Sequence, residues 1–259
     1  MTNLAVLVLA SNSISDISTL SGLSKLFALA LNNNNVSDIS ALSGLDNFEK
    51  LQLTHNSITD ISALSGMTGL TLLWLGNNNI TDISALAGMT VMDELWLDNN
   101  NISDINALSG MTNLTGLNLT SNSISDISAL SNLTSITFLS LDFNNITDIS
   151  ALAGMTGMTS LNLAVNSITD VSPLSGMTDM KVLFLQVNNI SVILALAGMT
   201  GMDELRLDDN SITTGVADLI GLTSAALINL FNNNSIPCAD LTILTTALPG
   251  VVTEPSSCI

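Results

Sequence analysis

Apolar residues return along the chain at a fixed interval of 22 positions. The segment Leu7 to Ile17 recurs from Leu29, Leu51, Leu73, Leu95, Leu117, Leu139 and Leu161, with degenerate copies from Leu183 and Leu205. Two different spacings alternate inside each copy. Leu7 and Leu9 stand two apart, which places both on one face of a short strand and sends the residues beside them to the other. Ile17, Leu20 and Leu23 stand three apart, the spacing of a helical turn. Asp16 before that turn suits its N-cap and Gly22 suits its end. The stretch is too short for a regular helix, so a 3-10 turn or a single α-turn is predicted on the outer side.

Between strand and turn an Asn column runs unbroken through Asn12, Asn34, Asn56, Asn78, Asn100, Asn122, Asn144, Asn166, Asn188 and Asn210. A primary amide both donates and accepts, so it can pair backbone groups that a tight turn leaves unsatisfied inside. A strand of three to five residues is not stable alone. Stacked on its neighbours at about 4.8 Å per repeat, it becomes one rung of a parallel sheet.

The pattern Leu-x-x-Leu-x-Leu-x-x-Asn-x-Ile over about residues 4–212 resembles the leucine-rich repeat. The 22-residue length with Asp-Ile-Ser-x-Leu-x-x-Leu is similar to the bacterial internalin subclass. The resemblance implies an α/β solenoid: a right-handed superhelix with a concave parallel sheet, short 3-10 or α turns on the convex side, and a role in protein recognition. Residues 1–212 are expected to form the array of about ten repeats, and 213–259 an irregular last repeat and C-terminal cap.

Composition sharpens this picture by exclusion. Of 259 residues 47% are hydrophobic and only 10% charged, against about 25% charged in an average globular protein. That much apolar content argues against disorder. Four Lys or Arg against 22 Asp or Glu give a net charge of −18. Such a chain has too few cations to track a phosphate backbone, so nucleic acid is excluded as a partner. An anionic membrane surface would repel it. The longest apolar run, Leu4 to Ala10, is far below the roughly 20 residues of a membrane helix, so no membrane insertion is expected.

Both cysteines, Cys238 and Cys258, lie near the C-terminus. Residues 239–248 read as an amphipathic helix stopped by Pro249 and Gly250, and Val251 to Thr253 as a last strand. A Cys238–Cys258 disulfide that staples this cap is the expectation, ahead of two buried thiols or metal ligation, and it points to an oxidising compartment. No signal peptide is visible, and Met1 to Leu4 enter a repeat in mid-phase. The expectation is an exported or cell-surface bacterial protein whose export signal lies outside this sequence. An uncapped first rung would also allow weak homodimerisation through the N-terminal end.

Most conspicuous residues have structural explanations. Met67, Met89, Met111, Met155, Met177 and Met199 occupy one apolar column, and Met92, Met158, Met180 and Met202 another, which marks them as gap-filling core residues. Eight acids from Asp16 to Asp170 form one ladder, read as caps of the turns ahead of a row of cation sites. The Asn-x-Ser/Thr triplets, such as Asn79-Ile80-Thr81, fall out of the repeat. The single His55 has no second His or nearby Cys to work with, and no Gly-rich phosphate loop is present. No enzyme, cofactor or metal site is therefore expected.

Function should lie where the repeat does not dictate the residue. The central outward column of the strands reads Val8, Ala30, Gln52, Trp74, Trp96, Asn118, Ser140, Asn162, Phe184 and Arg206. Leu72, Trp74 and Trp96 are expected to form an exposed apolar patch rimmed by Glu94 and Asp98. Phe138, Phe143, Val165, Phe184 and Val187 are expected to form a second, with Arg206 beside it. Exposed aromatics on a sheet surface make binding anchors. The expected partner is a protein, favoured to be basic. Glycan binding with sugars stacked on the tryptophans, and a purely structural spacer, are the alternatives. On the outer side, Val192 and Leu194 replace the expected Asp and Ser.

Overall fold

The computed structural model describes residues 3–259; Met1 and Thr2, where the chain enters the repeat and where the homodimer contact was expected, lie outside the described residues. The chain divides into two compact units, Met1–Ile124 and Ser125–Ile259.

Among the described residues the first unit contains six strands: β1 (Val6–Val8), β2 (Ala28–Ala30), β3 (Lys50–Gln52), β4 (Leu72–Trp74), β5 (Glu94–Trp96) and β6 (Gly116–Asn118). Each pairs in parallel with the next, and every pairing is offset by one repeat, as in Val6↔Ala28 and Leu72↔Glu94. The repeat length therefore sets the register, and no residue of one column is ever shifted to the opposite face. The ladder continues past the strands, with Leu31 N–H donating to the Gln52 carbonyl and Asn33 N–H to that of Thr54.

Each rung then bends through one residue in the left-handed region, here Ser11, Asn33, His55, Asn77, Asn99 and Ser121 at φ of 52–58°. The Asn column follows directly. Asn78 Nδ2 donates to the carbonyls of Leu53, Leu75 and Gly76 at 3.0, 2.9 and 3.3 Å, and its Oδ1 accepts the Ile58 N–H at 3.0 Å. One buried amide thus closes its own turn and ties it to the preceding rung. The same set recurs at Asn34, Asn56 and Asn100.

On the outer side the turns are 3-10, at Ser18–Gly22, Ser40–Leu42, Ser62–Leu64, Ser84–Leu86 and Asn106–Leu108. The acids sit one residue earlier than an N-cap, whose position is taken by Ile17 and its equivalents. Asp16 Oδ1 accepts the Ser18 N–H at 2.8 Å, an Asx turn that opens the 3-10 segment. The core lies between sheet and turns: Leu51, Leu53, Ile58, Ile61, Leu64, Met67 and Leu70 are all buried. The methionines on the two apolar columns are likewise sealed in, from Met67 to Met202.

The second unit continues the pattern with β7 (Phe138–Ser140), β8 (Ser160–Asn162), β9 (Val182–Phe184), β10 (Glu204–Arg206), β11 (Leu227–Asn229) and β12 (Val252–Thr253). All adjacent pairings are parallel. Register stays at one 22-residue repeat up to β10 and becomes 23 at β11, where Arg206 faces Asn229. The extra residue is absorbed on the outer side at Gly215, φ +97°. A Cβ there would come within 2.8 Å of the Leu194 nitrogen, so only glycine lets the two rungs approach. After the insertion Asn233 takes the ladder position, fully buried and bonded to the carbonyls of Leu207, Leu230 and Phe231. Val192, where an Asp was expected, joins an added outer ladder through parallel bridges to Asp170 and Thr214. It and Leu194 stay exposed.

Helix α1 (Cys238–Ala247) packs on the 3-10 turn Ala217–Gly221. It buries Leu241, Leu244 and the following Leu248, but its outer face carries Ala239, Ile243 and Ala247 with two threonines. The helix is one-sided by burial and not by composition, so the amphipathic pattern expected from the sequence is absent. Cys238 and Cys258 form the expected disulfide. The terminal segment is strapped alongside by Cys238 N–H to Ile259 carbonyl and Ile259 N–H to Ile236 carbonyl bonds, at 2.8 and 3.0 Å.

Candidate functional site

In the first unit the outward residues of β4 and β5 meet because parallel strands in register bring like positions together about 4.8 Å apart. Trp74 faces Trp96 across that gap. Their rings stack with centroids 4.8 Å apart and planes 18° from parallel. Glu94, opposite Leu72, turns its carboxylate to accept the Trp74 indole N–H at 3.2 Å. Asp98 Oδ2 accepts the side-chain amides of Asn77 and Asn99 at 3.1 and 2.9 Å. Its carboxylate lies over Gly76, in space that a Cβ would occupy. Every predicted residue of this patch is thus brought together, but with a difference in exposure. Leu72, Trp74 and Trp96 are half-buried and not fully exposed, because each indole spends one face on the other. What remains is a flat indole platform with two carboxylates at its rim, both oriented by hydrogen bonds.

The second unit carries the other predicted residues. Phe138 and Phe143 are 41% and 55% exposed. Phe184 is half-buried under Arg206, whose guanidinium carbon lies 5.0 Å from the ring centroid. Arg206 Nε also contacts Glu204 at 2.6 Å. The guanidinium is therefore already engaged by a ring and a carboxylate, a cation–π and ion pair on one side chain.

Three features of this face are not legible in the column pattern. Ser140, expected in the outward column, is buried together with Asp142, with Ser140 Oγ donating to Asp142 Oδ1 at 2.8 Å. Phe143, Val165 and Val187 occupy the left-handed position at φ of 53–57°, a conformation that disfavours β-branched and bulky residues. Phe231, 46% exposed, joins the outward surface only because the last repeat is one residue longer. Its signal was present in Leu227-Ile228-Asn229-Leu230-Phe231, a strand pattern displaced from the 22-residue register.

Among the described residues no group of His, Cys, Asp or Glu is arranged to hold a metal ion. No described helix is long and apolar enough to cross a membrane. The acid ladder faces shallow clefts between successive turns, such as that lined by Asp60, Ser62 and Asp82. The carboxyls of Asp16, Asp38, Asp60, Asp82, Asp126 and Asp170 are held below their ordinary value of 3.8, first by the backbone N–H of the serine two residues on and then by its hydroxyl. Their hydrogen bonds are spent on the turns.

Comparison with known proteins agrees with this architecture. The family model described as leucine-rich repeats in two copies matches residues 46–88, 68–110, 90–132 and 112–154. No curated protein sequence matches. The crystal structure of internalin InlF from Listeria monocytogenes is 34% identical, with a TM-score of 0.78, covering 96% of this chain and 82% of that one. Internalin C2 from the same organism is 33% identical, with a TM-score of 0.68 over 71% of this chain and 81% of the other. The Arabidopsis receptor kinase HAESA, solved with the peptide hormone IDA and the co-receptor SERK1, shares the fold at 20% identity and a TM-score of 0.77, covering 91% of this chain and 45% of its own. With its 22-residue rungs, Asn ladder and 3-10 turns, the chain belongs to the internalin-like leucine-rich-repeat proteins.

Proposed function

We propose that the chain is a non-enzymatic binding module that captures a protein partner on the outward face of its sheet. The observation that carries this reading is the Trp74–Trp96 stack with Glu94 and Asp98 at its rim. Large rings held rigid before binding lose little conformational entropy on complex formation, and so make efficient anchors. Leu72 extends the platform, and Phe138, Phe143, Phe184 and Arg206 add a second contact area in the second unit. The acidic rims favour a basic partner surface.

Membership among the internalin-like proteins and the Cys238–Cys258 disulfide support an exported or surface location in a bacterium. A glycan ligand is the second reading, favoured by indoles that lie beside carboxylates able to accept hydroxyl hydrogen bonds.

The double substitution Trp74→Ala with Trp96→Ala separates the readings. Partner affinity, measured by surface plasmon resonance on a cell-surface protein array, is expected to fall by at least about a hundredfold, as for a paired aromatic hot spot. Loss of a glycan-array signal would select the second reading. Unchanged binding on both arrays would remove the platform from the binding surface.

A further inference from the structure

We propose that Gln186, Asp208 and Phe231 form a receptor site for a single arginine side chain of a protein or peptide partner. The inference rests on the reading that the sheet face of the second unit contacts such a partner.

The three residues occupy one column on three consecutive rungs. Phe184 pairs with Arg206 and Arg206 with Asn229, so the residues two positions on fall into line beside them. The backbone bonds agree: Val187 N–H donates to the Asp208 carbonyl and Asp209 N–H to that of Phe231, each at 3.0 Å. Asp208 therefore lies between an amide and an exposed ring.

Each member lacks something that a guanidinium supplies. Gln186 Oε1 is buried with no donor, the one such side-chain atom found among the described residues. A buried acceptor left unpaired costs about 1–3 kcal/mol, and orphans of this kind are rare in native proteins. Asp208 is half-buried, with Oδ1 taking the Asn229 amide at 2.8 Å. Burial pushes its carboxyl above 3.8 and the neighbouring Asp209 adds to this, against the lowering by its own backbone N–H and by Arg206. Phe231 is 46% exposed.

No cation of this unit is free to serve. It has two, Lys181 and Arg206, against twelve acids. Arg206 is held by Glu204 and Phe184, and Lys181 Nζ donates to the Gly201 carbonyl at 2.9 Å. The charge must come from outside. A planar guanidinium carries five donors, stacks on aromatic faces and sheds water more easily than an ammonium, which matches a carboxylate, an amide carbonyl and a ring in one row. Val187, 43% exposed beside Gln186, provides an apolar wall for the side-chain stem.

The test is a titration of the whole chain, followed by amide NMR shifts, with the peptide Phe-Arg-Phe amide and its neutral isostere Phe-citrulline-Phe amide. The arginine peptide is expected to shift the Gln186 side-chain amide and the Asp208 and Asp209 backbone amides, and to bind at least about tenfold more tightly than the citrulline peptide. Asp208→Asn, which keeps the acceptor for Asn229, is expected to weaken the arginine peptide by a similar factor. Because the shifts are read residue by residue, binding at this site and binding at the tryptophan platform are told apart by which amides move, and failure of one is read separately from failure of the other. Equal affinity for the two peptides, absence of shifts at these residues, or indifference to Asp208→Asn would overturn the proposal.

Discussion

Asn78 shows how much one side chain carries in this fold. Its amide donates to three carbonyls, each shared with one other N–H, and accepts the Ile58 N–H. Replacing it by Asp keeps the acceptor but turns a carboxylate oxygen toward the carbonyls of Leu53, Leu75 and Gly76. Asn78→Asp is expected to cost about 3 kcal/mol or more at pH 7, the scale of an uncompensated buried charge. The new carboxyl would titrate above its ordinary range in the folded state, so the penalty is present at neutral pH and relieved as pH falls through that raised value. Urea unfolding at pH 7 and pH 4 checks this: the Asp variant should recover part of its loss at pH 4, whereas Asn78→Ala should not. The left-handed column gives the opposite case. Val165 holds φ 53° although valine resists it, at a cost of about 1–2 kcal/mol relative to a residue that accepts the conformation. Val165→Asn keeps the backbone bond to Gln186 and should raise stability by about 1 kcal/mol in urea unfolding. A loss instead would mean that the apolar contacts of Val165 outweigh its strain.

At the scale of the element, the 3-10 turns depend on their Asx bonds. Each Asp of the shifted set accepts a backbone N–H two residues on, and its carboxyl titrates below 3.8 as a result. A folded-state value below the unfolded one means that the ionised carboxylate supports folding above the unfolded value, near 3.8. That support is lost as pH falls through the depressed folded values. Asp208 runs the other way: its ionised form is disfavoured by burial, and protonation relieves that penalty as pH falls through its raised value. Melting temperature is therefore expected to hold from pH 7 to about 5 and to fall below about 4, because six ladder acids oppose one. In a variant carrying Asp60→Asn and Asp82→Asn, which keeps both acceptors without a titrating proton, the acid-side drop in melting temperature should be smaller. An identical drop would show that these turns do not set the acid limb. The C-terminal helix teaches a different point. Its buried stripe of Leu241, Leu244 and Leu248 is legible in the spacing, but its outer Ala and Ile residues leave the sequence without the contrast that marks an amphipathic helix.

For the molecule as a whole, the composition that first looked anomalous reports the architecture. The apolar 47% is largely a set of columns repeated rung after rung, and the acid ladder, part of the net −18, belongs to the turns. Two of the four cations lie in the second unit: Arg206 is paired with Glu204 and Lys181 donates to the Gly201 carbonyl.

The sequence by itself determined the strand positions, the turns, the buried columns and the role of the Asn ladder. Each of these follows from a local period that 22-residue repetition copies from rung to rung. It also placed Trp74 and Trp96 side by side, because register is simply repeat length. Only the tertiary structure decided how those residues are used. Stacking makes the indoles half-buried. Neighbouring groups bury Ser140 and Asp142 within the outward face. The one-residue insertion at Gly215 carries Phe231 into the column of Gln186 and Asp208. Side-chain orientation and desolvation arise from contacts between rungs, and a residue's own column position does not contain them.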